Sequence, residues 1–298
     1  MDSKDREKIL KAGKIVSQVR DYARTIIKPN VPLLEIAEKI ESKIVELGGK
    51  PAFPCNLSIN EIAAHYSPSH DDKTIAHGLI KVDFGVHVDG WTADNSLSFD
   101  LENSEENKKL ITAAEKALDN AIELIKKRGD KLKLNEIGAV ISETVGSRDF
   151  NPIINLCGHS MKQYELHGGI TIPNIDDGRE LQLKDGLYAI EPFATLGSGK
   201  VRDGRPSGIY ELKDTKKPRS ELARQTLAFI EKEYNTLPFC SRWLVKKFGT
   251  KALIGLSQLT QNENLHRFSQ LVESNDAKVS QAENTILIDE KEVIITTE

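Results

Sequence analysis

The chain has 298 residues, 39% of them hydrophobic and 29% charged, with a formal net charge of −4 and a mean hydropathy of −0.39. This length and balance suit one large folded domain or two smaller ones and exclude a disordered chain. The slight acidity leaves no basic field to attract a phosphate backbone, so nucleic acid is not expected as a direct substrate. No run of about 18 apolar residues could span a membrane, and the charged start MDSKDREKIL lacks the apolar core of a secretory leader. Cys55, Cys157 and Cys240 are odd in number and widely spaced. They fit neither a disulfide framework nor a cysteine zinc cluster, and a reducing cytoplasm is the expected setting.

Apolar residues at Ile9, Ala12, Ile15, Val16, Val19 and Ala23 predict a helix over 5–27, and a second helical pattern over 32–47 stops at Gly48-Gly49. The segment 81–96, KVDFGVHVDGWTADNS, then reads as a hairpin. Asp89-Gly90 tolerates the positive φ that a type I′ turn needs, which sets Val88 opposite Trp91, Asp83 opposite Ser96 and Asp94 one diagonal step from Asp83. Val82, Phe84, Val86 and Val88 would face a core while Asp83, Gly85, His87, Thr92, Asp94 and Ser96 line the other side. Diagonal neighbours sit roughly 7–8 Å apart at Cβ, close enough for two carboxylates to converge on metal ions about 3.5–4 Å apart. An aspartate in a strand is ordinarily solvated, so the hairpin alone does not establish a site. His87 projects toward the turn and reads as an outer or surface residue.

Amphipathic helices are predicted over 104–127 and 134–145, and strands around His159, Gly169 to Ile172 and Gly186 to Pro192. From Lys213 to Gln270 helical segments at 220–234 and 238–248 occur with almost no strand pattern. This stretch, 213–270, reads as an all-helical insertion into a main domain made of 1–212 and 271–298. A closing strand hairpin over 284–297 turns near Asp289 to Lys291 and carries Glu283 at its entrance. Paired helices with strands in hairpins predict an α+β fold rather than a doubly wound parallel sheet.

Asp83, Asp94, His159, Glu191 and Glu283 stand in the contexts DFG, TADNS, GHS, IEPF and QAENT. This order, spread over the whole chain, resembles the metal site of methionine aminopeptidases of the pita-bread fold. AFPCNLSINEIAAHYSP at 52–68, LHGGITIPN at 166–174 and NTLPFCSRWL at 235–244 are similar to the type 2 enzymes, as is the placement of the helical insertion. The chain lacks the long charged N-terminal extension of eukaryotic type 2 enzymes and looks most like the short archaeal form. The resemblance implies a pseudo-symmetric antiparallel sheet with flanking helices, and an enzyme that removes initiator methionine from nascent proteins.

By the same resemblance Asp83 would chelate one of two divalent ions, Asp94 and Glu283 would bridge both, and His159 and Glu191 would complete the other. Four carboxylates and an imidazole make an oxygen-rich set suited to Co, Mn, Fe or Zn. Glu191 would carry the proton from the attacking water to the leaving amine. His65 in AAHYSP and His167 in ELHGG match the two histidines beside the scissile peptide, where they would bind substrate and stabilise the tetrahedral intermediate. Phe53 and Pro54 match the start of the methionine pocket, although an aromatic followed by proline is equally ordinary loop packing. Three departures stand out. Cys157 precedes Gly158-His159, Asn284 replaces a histidine after the last glutamate, and 272–281 lacks the aromatic residue that many type 2 enzymes place near the pocket. The implied partners are N-terminal peptides of nascent chains, met at the ribosome, with no membrane and a monomeric enzyme. Two other readings use the same fold: a proline-specific aminopeptidase or prolidase, which shares the ligand order, and a non-catalytic binding homologue of the kind that has lost ligands, whereas all five are retained here.

Overall fold

The computed structural model describes residues 1–290 and 292–298. The first two amphipathic patterns form α1 (Ser3–Ile26) and α2 (Leu33–Glu46). Three short strands, β1 (Lys50–Pro51), β2 (Asn56–Ile59) and β3 (Ile62–Ala64), precede the hairpin of β4 (Leu79–Val88) and β5 (Trp91–Asp100). Ile15, Val16, Val19, Ile36 and Ile40 of the helices bury against Val82, Phe84 and Val86 of β4. Full burial of each such side chain contributes about 1.5–3 kcal/mol, so this face fixes which side of β4 points inward. Shifting the register by one residue would turn that whole face to the opposite side.

The order of two long helices followed by strands then repeats. α3 (Glu105–Arg128) and α4 (Leu134–Gly146) lead into β6 (Asn151–Pro152), β7 (Cys157–Met161), β8 (Thr171–Pro173), β9 (Gly186–Ile190), β10 (Phe193–Thr195) and β11 (Val201–Leu212). Ser104 caps α3 by accepting the Asn107 N–H, and acidic Glu105 and Glu106 open the helix that basic Lys126, Lys127 and Arg128 close, in line with its dipole. Leu110, Ile125, Ile137 and Ile141 pack on Tyr188, Ile190 and Ile286 to make the second core. The helical lobe comprises α5 (Glu221–Tyr234), β12 (Phe239–Cys240), α6 (Ser241–Phe248) and α7 (Ala252–Gln261), around Leu227, Ile230, Phe239, Leu244 and Leu256. β13 (Leu265–Glu273), β14 (Val279–Gln281), β15 (Asn284–Asp289) and β16 (Glu292–Ile295) complete the chain. The fold is α+β, with antiparallel strands in the orders β1-β4-β2 (β5 pairing with β4), β14-β10-β6, β12-β11-β13-β3 and β16-β15-β9-β7-β8. Among the described residues no helix is long and apolar enough to cross a membrane.

One expectation about the elements is corrected. The stretch 213–270 is not helical throughout: β12 interrupts it, and 265–270 belongs to β13, which pairs with β11 and β3 of the main body. β11 escapes the sequence pattern because Gly204, Pro206 and Gly208 interrupt its alternation, and its pairing with β13 shifts register on both sides of Pro206. The closing hairpin pairs Asp289 with Glu292 at its end; Lys291, which the expected turn includes, lies outside the described residues.

His87 is not a surface residue. It is 6% exposed, its Nδ1 accepts the Gly90 N–H at 3.0 Å, and it therefore buttresses the hairpin turn. Desolvation, and then the Lys50 ammonium, push its pKa down to about 4. A buried neutral imidazole contributes stability that is present above the unfolded value of about 6.5 and is lost as pH falls through the folded one. The shift corresponds to roughly 3 kcal/mol. His87→Asn retains an acceptor that does not titrate, so its stability should decline less steeply between pH 6.5 and 4 than that of the wild type. Denaturant unfolding across that range checks this, and identical slopes would count against the assignment.

Candidate metal centre

The β4–β5 hairpin adopts the expected register, with Asp83 opposite Ser96 and Gly85 opposite Asp94. Asp89 and Gly90 at its turn have φ of 51° and 80°, the left-handed values that a type I′ turn requires. Gly85 has a steric reason: a Cβ there would meet the Phe53 ring at 2.4 Å. The missing side chain leaves room for that ring against the hairpin.

The second half of the molecule brings the other candidate ligands. Thr285 Oγ1 accepts the Asp94 N–H at 2.7 Å and donates to the Asp94 carbonyl at 2.9 Å, which fastens β15 to β5. The Glu283 N–H donates to the Ser96 carbonyl at 3.1 Å, and Asn95 Nδ2 donates to the Glu283 carbonyl. Asn284, in place of the histidine, accepts from Asn95 Nδ2 at 3.1 Å and from Thr297 Oγ1 at 2.9 Å, so it ties the hairpin to the end of the chain. β7 pairs with β9 so that His159 lies opposite Ala189, and Glu191 follows just beyond the end of β9.

Donor atoms of Asp94, His159 and Glu283 all lie within 4.8 Å of one another. His159 Nε2 is 3.7 Å from both Asp94 Oδ2 and Glu191 Oε1. Asp83 lines the same cavity outside this tight trio, and its Oδ2 accepts from Asn56 Nδ2 at 3.3 Å. Gln281 Nε2 reaches toward Glu191 and Glu283 at 3.4 and 3.5 Å. Thr285, Asn95, Asn56 and Gln281 were not singled out in the sequence, since their partners are distant in the chain.

The electrostatics ask for cations. Desolvation first, offset in part by the Asn56 hydrogen bond, pushes Asp83 up to about 7. Desolvation and then mutual repulsion hold Asp94, Glu191 and Glu283 well above the usual carboxylate range. Desolvation, and next the His167 imidazole, drive His159 down to about 3. Among the described residues no lysine or arginine lines the cavity, and none gives a hydrogen bond to the buried Oδ1 atoms of Asp83 and Asp94. A cluster of acids with unpaired oxygens and no basic counterpart fits divalent ions, which would supply the missing positive charge.

The cavity around this cluster has a volume of about 370 Å³ and is walled by Phe53, Leu166, Ile209, Pro238, Phe268 and Leu271 among others. His65 lines it from the residue after β3, in the left-handed region at φ 63°, a conformation that a non-glycine residue holds at a cost. Its Nδ1 lies 3.2 Å from the Ser269 carbonyl. A carbonyl only accepts, so Nδ1 carries the proton and the neutral ring keeps its lone pair on Nε2. Burial pushes the His65 pKa down to about 4, so that neutral form dominates at pH 7. His167 also lines the cavity, with its ring 4.6 Å from that of His159. Pro54 is buried but lies outside the cavity wall, so of the expected pocket pair only Phe53 takes part. The aromatic residue missing from 272–281 is supplied just upstream by Phe268, whose ring packs edge-on against His65 at 5.5 Å.

The model of metallopeptidase family M24 matches residues 7–256. The chain belongs to that family. It is 44% identical to a protein named methionine aminopeptidase from Thermococcus onnurineus, over 98% of this chain and 99% of the relative. It is also 44% identical to another of that name from Methanocaldococcus jannaschii, over the full length of both. Among solved structures, a thermophilic Arx1 has a TM-score of 0.84 at 16% identity, covering 99% of this chain and 91% of that one. A methionine aminopeptidase from Thermotoga maritima has a TM-score of 0.71 at 23% identity, covering 100% and 98%. The structural likenesses show the fold, which is the pita-bread fold, and the full-length relatives make this M24 chain a metalloaminopeptidase.

Proposed function

We propose that the cavity over the acidic cluster is the catalytic site of methionine removal, with Asp83, Asp94, His159, Glu191 and Glu283 holding two divalent metal ions. The chain removes the N-terminal methionine of its substrates by metal-dependent peptide hydrolysis. The observation that carries the site reading is the convergence of two buried carboxylates, Asp94 and Glu283, two half-buried ones, Asp83 and Glu191, and the neutral imidazole of His159 in one cavity that no lysine or arginine of the described residues lines. Divalent ions bound there would polarise the scissile carbonyl and make water a nucleophile near neutral pH. Their oxygen-rich donor set accepts Co, Mn, Fe or Zn.

The protein's own groups do the rest. Glu191, held above the usual carboxylate range, takes a proton from the attacking water at a carboxylate oxygen and passes it to the departing amine nitrogen. His65 presents a bare Nε2 as neutral imidazole, which suits accepting a hydrogen bond from the peptide N–H beside the scissile bond. This narrows the role implied by resemblance, because a neutral ring protonated at Nδ1 has no second proton to offer an oxyanion. His167, at the cavity edge, is placed to donate to the substrate carbonyl. Phe53 and the apolar wall receive the methionine side chain. Residues 213–264 are the insertion, trimmed by the strand found at 265–270. Nascent chains, met at the ribosome in the cytoplasm by a monomeric enzyme, belong to the same reading.

Chelation should abolish hydrolysis of Met-Ala-Ser, and readded divalent ions should restore it at a stoichiometry of two per chain. Acetyl-Met-Ala-Ser should not be cut, because an acetylated nitrogen is no longer a basic ligand. Preference for Ala-Pro over Met-Ala-Ser would favour the proline-specific alternative, and absence of turnover in a metal-loaded protein would favour the binding homologue.

A further inference from the structure

A buried ion pair outside the cavity lining joins the helical lobe to the main body. Arg242, in the first turn of α6, and Glu41, on α2, are 3% and 8% exposed. Two bonds of 2.7 Å, from Nη1 and Nη2 to the two carboxylate oxygens, connect them end-on. Glu41 also accepts the Trp243 indole N–H at 2.8 Å and the backbone N–H of Cys55 at 3.2 Å. Arg242 Nε donates to the Pro68 carbonyl at 2.9 Å.

Each of these ties lands close to a different wall of the cavity. Cys55 is two residues after Phe53, Pro68 is three after His65, and Arg242 is four after Pro238. Phe53, His65 and Pro238 all line the cavity. Stability does not account for such a pair, because well-packed apolar residues of similar size usually serve a core equally well. What an apolar replacement lacks is direction: a planar guanidinium and a carboxylate fix distance and angle between the segments they join.

We propose that the Glu41–Arg242 pair is a specificity-determining positioning element, which sets the spacing of the Phe53, His65 and Pro238 walls and so the selection of the methionine side chain. The inference rests on reading the cavity as the substrate site. Neither residue touches the cavity, so both act through the loops they hold.

The test compares the joint replacement Glu41→Leu with Arg242→Met, the conservative Arg242→Lys, and the direct wall variant Phe53→Ala. Metal content and thermal unfolding are measured for each, with kcat and KM on Met-Ala-Ser and Leu-Ala-Ser peptides. The joint variant should bind metal as the wild type does while its kcat/KM ratio for Met over Leu falls about tenfold, the scale of methylene-sized discrimination. Most of the loss should lie in KM. Arg242→Lys, which keeps the charge without the two-pronged geometry, should fall between. If the joint variant fails to fold, Arg242→Lys carries the test. An unchanged ratio in a folded pair variant, alongside a changed ratio in Phe53→Ala, would overturn the inference while leaving the cavity reading intact. An unchanged ratio in all three would remove the cavity reading and the inference with it.

Discussion

Alanine at Asp94 or Glu283 is expected to abolish turnover and to lower metal occupancy by more than about 100-fold, since loss of even an outer partner of a ligand costs 10–100-fold in affinity. Both carboxylates lie in the tight trio with His159, and both are buried at 3% exposure. Removing either takes away one of the three proposed ligands of that trio. The two substitutions should have opposite effects on the metal-free and metal-loaded proteins. Without metal, the variant loses a like charge from a crowded set, so its unfolding temperature should rise or hold. With metal added, the stabilisation that a bound ion provides should disappear. Thermal unfolding with and without divalent ions, together with metal analysis, separates ligand loss from misfolding. Two bound ions and near-normal turnover in either variant would refute the bridging role.

The second large effect is expected at the two cavity histidines. His65→Ala and His167→Ala should each lower kcat by about 10²–10³-fold, the scale found when one preorganised transition-state partner is removed. Metal content should stay the same, because neither ring is among the five proposed ligands, Asp83, Asp94, His159, Glu191 and Glu283. For His65 the loss should persist over the neutral range, since its imidazole is already uncharged well above its pKa of about 4. His65→Asn, which keeps an acceptor, should recover part of the rate. Loss of bound metal in either alanine variant would instead make that histidine a ligand.

The fold class and the main hairpin were legible in the sequence for physical reasons that operate over a few residues. Asp89-Gly90 permits positive φ at two successive positions, and the period-two run from Val82 to Val88 has a single face fit for burial, so register and the shared face of Asp83 and Asp94 followed together. The helix pairs were equally readable from apolar spacing. β11 and β13 were not, because glycine, proline and bulges break the alternation that marks a strand.

The five candidate ligands could be named from local contexts and order, but their assembly depends on groups that carry no local signal. Thr285, two residues after Glu283, locks Asp94 to β15 across 191 residues, and Ser269, in a strand the pattern missed, decides which nitrogen of His65 bears the proton. The same holds for the walls. Pro54 and Phe53 are adjacent in sequence, yet only the ring of Phe53 faces the cavity, while Ile209, Pro238, Phe268 and Leu271 arrive from β11, β13 and the helical lobe. Backbone period, turn chemistry and residue type are encoded within short windows, and those the sequence determined by itself. Which side chains meet depends on long-range packing and on hydrogen bonds between segments far apart in the chain, and only the tertiary structure decided that.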